Sequence, residues 1–284
     1  MKIRVFLVIT VLILSMLACT INIPVQSVKT SETQTLNVNE PLPPSTQSAT
    51  MRVTIGMGAG KLNLAPGTDA ELSGTVQYNV AQWKPHLSHT GNEISLVQNS
   101  EYNNIFPPSN LKNLWDLKLG GFPTDLVVNA GAYEGTLALG GLALTSVEIA
   151  DGASKAEVSF DKPNLIKMNH FTYKTGASTV KLIGLANANF SEMSFDGGAG
   201  TYSLDFTGKL QQDTHVRVNS GVSTMRVIVP DGTACEIILN GALNGVTTTG
   251  EWIVDNSTYK LKGNGPVLYI NISIGLGTLN LVHQ

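Results

Sequence analysis

One short pattern returns along this chain and limits what it can fold into. Its form is a glycine, a small residue, a small or polar residue, and then apolar residues at alternate positions. The copies are Gly131-Ala132-Tyr133-Glu134-Gly135-Thr136-Leu137, Gly152-Ala153-Ser154-Lys155-Ala156-Glu157-Val158, Gly176-Ala177-Ser178-Thr179-Val180-Lys181-Leu182, Gly198-Ala199-Gly200-Thr201-Tyr202-Ser203-Leu204 and Gly221-Val222-Ser223-Thr224-Met225-Arg226-Val227. Their leading glycines stand 21, 24, 22 and 23 residues apart. Related pieces lie outside the array, at Gly58-Ala59-Gly60-Lys61-Leu62-Asn63-Leu64 and Gly275-Leu276-Gly277-Thr278-Leu279-Asn280-Leu281. Self-similarity at such a period marks a stack of repeated units. The leucine-rich pattern with its asparagine ladder is absent, so each unit reads as one rung of a β-solenoid.

A second apolar run lies between glycines, as in Leu142-Ala143-Leu144-Thr145-Ser146-Val147-Glu148-Ile149. Each rung is therefore expected to hold two or three short strands, with glycine supplying a positive φ at a corner. Stacked at about 4.8 Å, five rungs rise roughly 24 Å. Leu137, Val158, Leu182, Leu204 and Val227 then form an inward column. The competing architecture is an antiparallel sandwich with evenly spaced hairpins.

From Met51 onward the chain alternates apolar and polar residues in short runs, among them Met51-Arg52-Val53-Thr54-Ile55 and Trp115-Asp116-Leu117-Lys118-Leu119. Period-two alternation punctuated by Gly and Pro indicates half-buried strands. Charged residues make up 14% of the chain and glycine is abundant at 28 residues, which suits an all-β body with tight corners. The best helix candidate in this body is the short segment 108–114. Residues 51–125 are expected to form an N-terminal β cap, and residues 126–284 a solenoid with a C-terminal cap around Glu251-Trp252-Ile253, because exposed solenoid ends need covering.

The N-terminus sets the compartment. Lys2 and Arg4 precede an apolar run at residues 5–17, which ends at Ala18 and Cys19. A basic start, a short apolar core and a small residue at the cut make residues 1–18 a secretory signal. Met16-Leu17-Ala18-Cys19 resembles the lipobox of bacterial lipoproteins, which implies lipidation at Cys19. An ordinary cleaved signal with a free secreted product is the alternative. Residues 19–50, with Pro24, Pro41, Pro43 and Pro44 among polar residues, read as a flexible tether. Loss of Lys2 and Arg4 takes the formal charge from −3 to −5, which offers no electrostatic footprint for nucleic acid. With Cys19 acylated, Cys235 has no partner within the chain, so a disulfide framework is excluded and Cys235 reads as a buried thiol.

The body resembles the toast-rack domain proteins, a group related to LiaF-like cell-wall-active antibiotic response proteins and adhesin-like proteins. The resemblance is carried by Ile55-Gly56-Met57-Gly58-Ala59-Gly60-Lys61-Leu62-Asn63-Leu64, Val76-Gln77-Tyr78-Asn79-Val80-Ala81-Gln82-Trp83-Lys84-Pro85, Pro123-Thr124-Asp125-Leu126 and the Gly-Ala repeats. It implies a right-handed single-stranded parallel β-solenoid in the cell envelope. It also implies a role in adhesion or in envelope stress exerted through partner proteins. This chain departs from the LiaF type in having a lipid anchor in place of several transmembrane helices.

Catalytic chemistry finds little support. Glu134, Glu157, Asp205 and Asp231 are each isolated in their strand or turn, whereas glycan cleavage needs a pair of carboxylates. His86 and His89 sit three apart on a strand-like run and point to opposite faces, which does not make a metal site. His170, His215 and His283 are scattered and read as solvent-facing. Gly56-Met57-Gly58-Ala59-Gly60 is followed by a strand rather than a helix, so it is no nucleotide loop. Tyr133, Tyr173 and Tyr202 differ in their offsets from the glycines, so no continuous aromatic ladder is expected. No cofactor is called for. The expected function is a membrane-anchored binding or scaffolding module with an envelope protein or glycan as partner. A polysaccharide-active enzyme on the same scaffold is the alternative.

Overall fold

The computed structural model describes residues 29–42, 49–98, 110–241 and 245–284. Its centre is seven long strands: β2 (Met51–Pro66), β7 (Thr124–Ala138), β8 (Leu144–Ser159), β9 (Met168–Ile183), β10 (Phe190–Asp205), β11 (Thr214–Val229) and β16 (Val267–His283). They pair in that order, each parallel to the next. The fold is therefore the expected solenoid-like stack of parallel strands. Gly58 and Gly275, outside the regular array, lead rungs equivalent to the other five.

The rung itself differs from expectation. The two short strands predicted on either side of the glycine are one strand of 15 to 17 residues that runs through it. The phase of burial shows what happens at the glycine. In β9, Phe171, Tyr173 and Thr175 are buried, then Gly176 and Ala177 are exposed, then Ser178, Val180 and Leu182 are buried. Alternation slips by one residue at the Gly-Ala pair. Inward side chains before and after it consequently face each other across one core. Phe195 from the first half of β10 meets Tyr202 from its second half, with ring centroids 5.0 Å apart.

The corner glycines are also not there for a positive φ. Gly58, Gly131, Gly152, Gly176, Gly198, Gly221 and Gly275 are absent from the residues with left-handed backbone. Close approach demands them instead. A Cβ on Gly176 would lie 2.3 Å from the Gly152 carbonyl oxygen, and one on Gly198 would lie 2.5 Å from that of Gly176. The rungs stack corner on corner, and only a hydrogen fits between them.

The predicted inward column is present. Leu64, Leu137, Val158, Leu182, Leu204, Val227 and Leu281 are in register and fully or almost fully buried. On the opposite wall Phe160, Phe171 and Phe190 meet edge to face at 5.9 and 6.1 Å, a favoured aromatic geometry.

At the start of the stack a rung is split between two strands. β5 (Glu93–Gln98) pairs with the first half of β2, and β6 (Asn113–Leu119) pairs with its second half. Side chains bond to the β2 corner between them. The Gly58 amide donates to Gln98 Oε1 at 3.0 Å, and Asn113 Nδ2 donates to the Ala59 carbonyl at 2.6 Å. At the other end β12 (Ala234–Gly241) and β13 (Gly245–Thr249) pair with the two halves of β16 in one unbroken register. Antiparallel strands finish the edges. They are β4 (Pro85–Thr90) on β5, β3 (Leu72–Tyr78) on β6 and β1 (Gln34–Glu40) on β3, with β15 (Thr258–Leu261) on β12 and β14 (Ile253–Asp255) on β15.

Residues 34–40 lie within the segment read as tether, yet they form β1. Leu36 and Val38 fall on one face of a period-two run, and Val38 is buried. In the proposed helix segment, residues 108 and 109 lie outside the described residues, and Asn113 already begins β6. Among the described residues the only helices are single 3₁₀ turns at Ala81–Trp83 and Leu185–Ala188, and no helix is long and apolar enough to cross a membrane.

Candidate functional site

Because every rung turns at the same place, a fixed offset from the corner glycine becomes a row of neighbours in space. Six residues before each corner stand Arg52, Asp125, Ser146, His170, Glu192, His215 and Tyr269. Glu236 and Lys260 continue the row through β12 and β15. Four residues before the corners a second row contains Glu148, Thr172, Ser194, Arg217 and Asn271. Both rows lie on the outer face of the first half-sheet.

The ends of the first row are closed by internal pairs. Arg52 bonds Asp125 at 2.5 Å, Ser146 donates to the same carboxylate, and Lys260 pairs with Glu236 at 3.0 Å. The middle of the face is different. A shallow depression of about 420 Å³ opens over β9, β10, β11 and β16. His170, Glu192 and His215 line one side, and Thr172, Ser194, Arg217 and Asn271 line the other. Arg217 Nη2 donates to Ser194 Oγ at 2.8 Å, which fixes the guanidinium across the rungs. The His215 and Tyr269 rings stack with centroids 5.0 Å apart and planes within 9°. Among the described residues Glu192 forms no ion pair. The arrangement presents one carboxylate, one guanidinium, two imidazoles, an amide and two hydroxyls on a nearly flat surface. It offers hydrogen bonds of both senses with formal charge close to balance.

A second polar cluster lies inside the corners. The Asp151 carboxylate accepts from Tyr173 at 2.8 Å, from Thr175 at 2.5 Å and from Ser178 at 3.2 Å. The Tyr133 hydroxyl is buried there against Tyr173, and the Tyr202 hydroxyl is buried without a hydrogen-bond partner. Burial, reinforced by the Asp151 charge, pushes the Tyr173 and Tyr202 phenols above their ordinary pKa, and burial does the same for Tyr133. These three tyrosines thus converge on the interior and contribute nothing to the outer surface. This cluster braces the corner.

The residues singled out in the sequence are dispersed. Glu134 pairs with Lys61 at 2.7 Å on the outer face of the second half-sheet, and that hydrogen bond and charge lower its pKa. Glu157 is exposed on the same face, Asp205 accepts from the Thr207 amide at 2.8 Å, and Asp231 lies 3.1 Å from His283. His89 bonds Glu40 at 2.8 Å, while His86 is exposed. No group of His, Cys, Asp or Glu among the described residues is arranged to hold a metal ion. Cys235 is a buried free thiol whose pKa burial pushes up to about 12. Cys19 lies outside the described residues. His170 and His215, read singly as solvent-facing, are brought to the two sides of Glu192. Sequence reasoning missed that grouping because the repeats were aligned forward from their glycines. The offset of minus six would have found it.

The fold and its outer rows define a repeat-built β-solenoid-like protein with an open surface depression. The chain belongs to the toast-rack family: the N-terminal domain of toast_rack, DUF2154, matches residues 25–170. Among solved structures, a candidate cell adhesion protein from Clostridium sporogenes shares the fold, with a TM-score of 0.50 at 19% identity over 89% of this chain and 99% of that one. A candidate adhesin from Bacteroides fragilis gives a TM-score of 0.39 at 9% identity over 89% of this chain and 100% of that one. A candidate lipid binding protein from Parabacteroides distasonis gives 0.34 at 10% identity over 88% and 96%. No curated protein matches the chain significantly.

Proposed function

We propose that this protein is a non-enzymatic binding or scaffolding module, displayed outside the cytoplasm by a lipid on Cys19, with adhesion or the relay of envelope stress as its role. The observation that carries the reading is the depression on the first half-sheet, which is open, polar and lined by a single carboxylate. The surrounding carboxylates are engaged: Asp125 by Arg52, Glu236 by Lys260, Asp196 by Asn219 at 2.8 Å and Glu148 by Lys174 at 3.5 Å. That leaves Glu192 single, whereas glycoside hydrolysis needs two carboxyl groups across one bond. Outside the fold, the apolar run ending in Ala18-Cys19 supports export and anchoring.

The partner is a component of the envelope, protein or glycan. Envelope fragments are expected to retain the full-length protein and to release the His215→Ala/Arg217→Ala double variant. Equal retention of both proteins would refute the assignment of the face. Turnover of an envelope glycan that Glu192→Gln abolishes would establish the enzyme instead. Mass spectrometry of the mature N-terminus tests the anchor, with a diacylated or triacylated Cys19 as the expected species and an unmodified start elsewhere as the refutation.

A further inference from the structure

We infer that the depression binds a neutral, linear, β-linked polysaccharide lying across the strands, about one sugar residue per rung. The inference rests on the reading of this face as a binding surface and names the ligand class.

Three features of the face lead to it. The first is repeat length. Parallel rungs are about 4.8 Å apart, close to the advance of one pyranose along an extended β-linked chain. A polymer running along the row therefore meets an equivalent position at every rung. Those positions are occupied in turn by His170, Glu192, His215 and Tyr269.

The second is chemistry. Sugar hydroxyls both donate and accept, and the face supplies both partners. Glu192 accepts, the Arg217 fork donates, and Asn271, Thr172 and Ser194 do both. The His215 and Tyr269 rings stack on each other, which holds the His215 imidazole in place with its edge toward the ligand.

The third is charge. Glu192 opposes Arg217, and the flanking charges are closed into the Arg52–Asp125 and Lys260–Glu236 pairs. A polyanion would need a net cationic lining and would meet Glu192 at the centre. A protein loop would need apolar anchors, and the apolar Phe171, Met193 and Val216 of this region are largely buried in the core. The shape agrees, since a trough of about 420 Å³ lies within the range of small-ligand sites, and its openness suits an internal segment of a long chain.

Calorimetric titration of the full-length protein with chito-oligosaccharides and cello-oligosaccharides of two to six residues tests this. Affinity is expected to rise with each added residue until about four rungs are spanned, then level off. Glu192→Ala, Arg217→Ala and His215→Ala are each expected to weaken binding about tenfold or more, and Thr201→Ala on the opposite half-sheet to leave it unchanged. All four positions are solvent-facing, and unchanged thermal unfolding verifies folding of each variant. Length-independent binding, or equal binding by the Glu192 and Thr201 variants, overturns the inference. Titration with heparin and with Zn²⁺ forms the second arm. Binding of either one at this face without the neutral oligosaccharides overturns the ligand class. If envelope fragments are retained through His215 and Arg217 while oligosaccharides are not bound, the ligand class fails and the binding face stands. If neither binds, both readings fail.

Discussion

Replacing Gly176 by alanine is expected to destabilise the protein because of a neighbour, with no contribution from backbone angle. The φ of Gly176 is outside the left-handed region, so alanine can adopt it. At a compatible site Gly→Ala stabilises by about 0.4–1 kcal/mol, since it restricts the unfolded chain. Here the new Cβ would stand 2.3 Å from the Gly152 carbonyl oxygen, more than 1 Å inside ordinary contact. Overpacking of this kind costs about 1–3 kcal/mol. A net loss of about 2 kcal/mol follows, or a fall in Tm of roughly 5 °C for a chain of this size. The column provides its own controls. The corresponding clearance is 2.5 Å at Gly198, 2.6 Å at Gly131, 2.8 Å at Gly275, 2.9 Å at Gly152 and 3.0 Å at Gly221. Destabilisation should fall in that order, approaching zero at Gly221, where the entropic gain offsets a marginal contact. Urea midpoints of the six single Gly→Ala variants measure the series. Equal losses at all six would point to a backbone requirement, and a stabilised Gly176→Ala would refute the close-packed corner.

Buried Glu71 and half-buried Asp151 give further tests. Glu71 is fully buried; its Oε1 accepts from Thr124 Oγ1 at 2.8 Å and its Oε2 has no partner. Burial raises its pKa, only partly opposed by the bonds to Thr124 and the Phe122 backbone. The folded state therefore favours the proton. The contribution of this group is fully present below the unfolded pKa of about 4.3 and is lost as pH rises through the folded value. Glu71→Gln should be stabilising at pH 7 by on the order of 1 kcal/mol, with the difference vanishing near pH 4; a difference independent of pH in urea titrations would exclude this account. Asp151→Ala should cost about 3 kcal/mol, because three buried hydroxyls lose their acceptor, against about 1 kcal/mol for Tyr173→Phe. The raised phenols work in the same sense as Glu71 on a higher scale, so stability should fall as pH rises above about 10. Ultraviolet titration should show Tyr133 and Tyr173 ionising only as the protein unfolds, and their ionisation in the folded protein would contradict the burial.

The stack of rungs was legible in the sequence because glycine spacing and apolar alternation both follow from it. Leu137, Val158, Leu182, Leu204 and Val227 are separated by the same steps as their glycines, so a single alignment places them in one column. What the corner does was harder to read. A glycine required by positive φ and one required by a carbonyl on the next rung look alike in one dimension, and only the stacking at Gly152 and Gly176 separates them. The split first rung was illegible for a related reason. β5 and β6 lie apart in sequence, and the bonds they make to the β2 corner come from Gln98 and Asn113, which no repeat pattern marks. β1 was hidden by its neighbours, as Leu36 and Val38 are too few to outweigh the surrounding Ser, Thr, Gln and Asn.

The candidate site was less legible still, and the rung geometry explains why. Positions that face inward are held to apolar residues by the core, so they repeat and can be detected. Positions six and four residues before the corner face outward, and neither packing nor backbone constrains them. Arg52, Ser146, His170, Glu192 and Tyr269 have nothing in common as residue types, and that freedom lets one rung carry an imidazole and the next a carboxylate without disturbing the stack. The glycine column fixes where each side chain stands in space, and the unconstrained rows decide what the surface recognises. In a fold of this kind the functional residues are to be sought in the columns where the repeat fails to repeat, read at a constant distance from the residue that never varies.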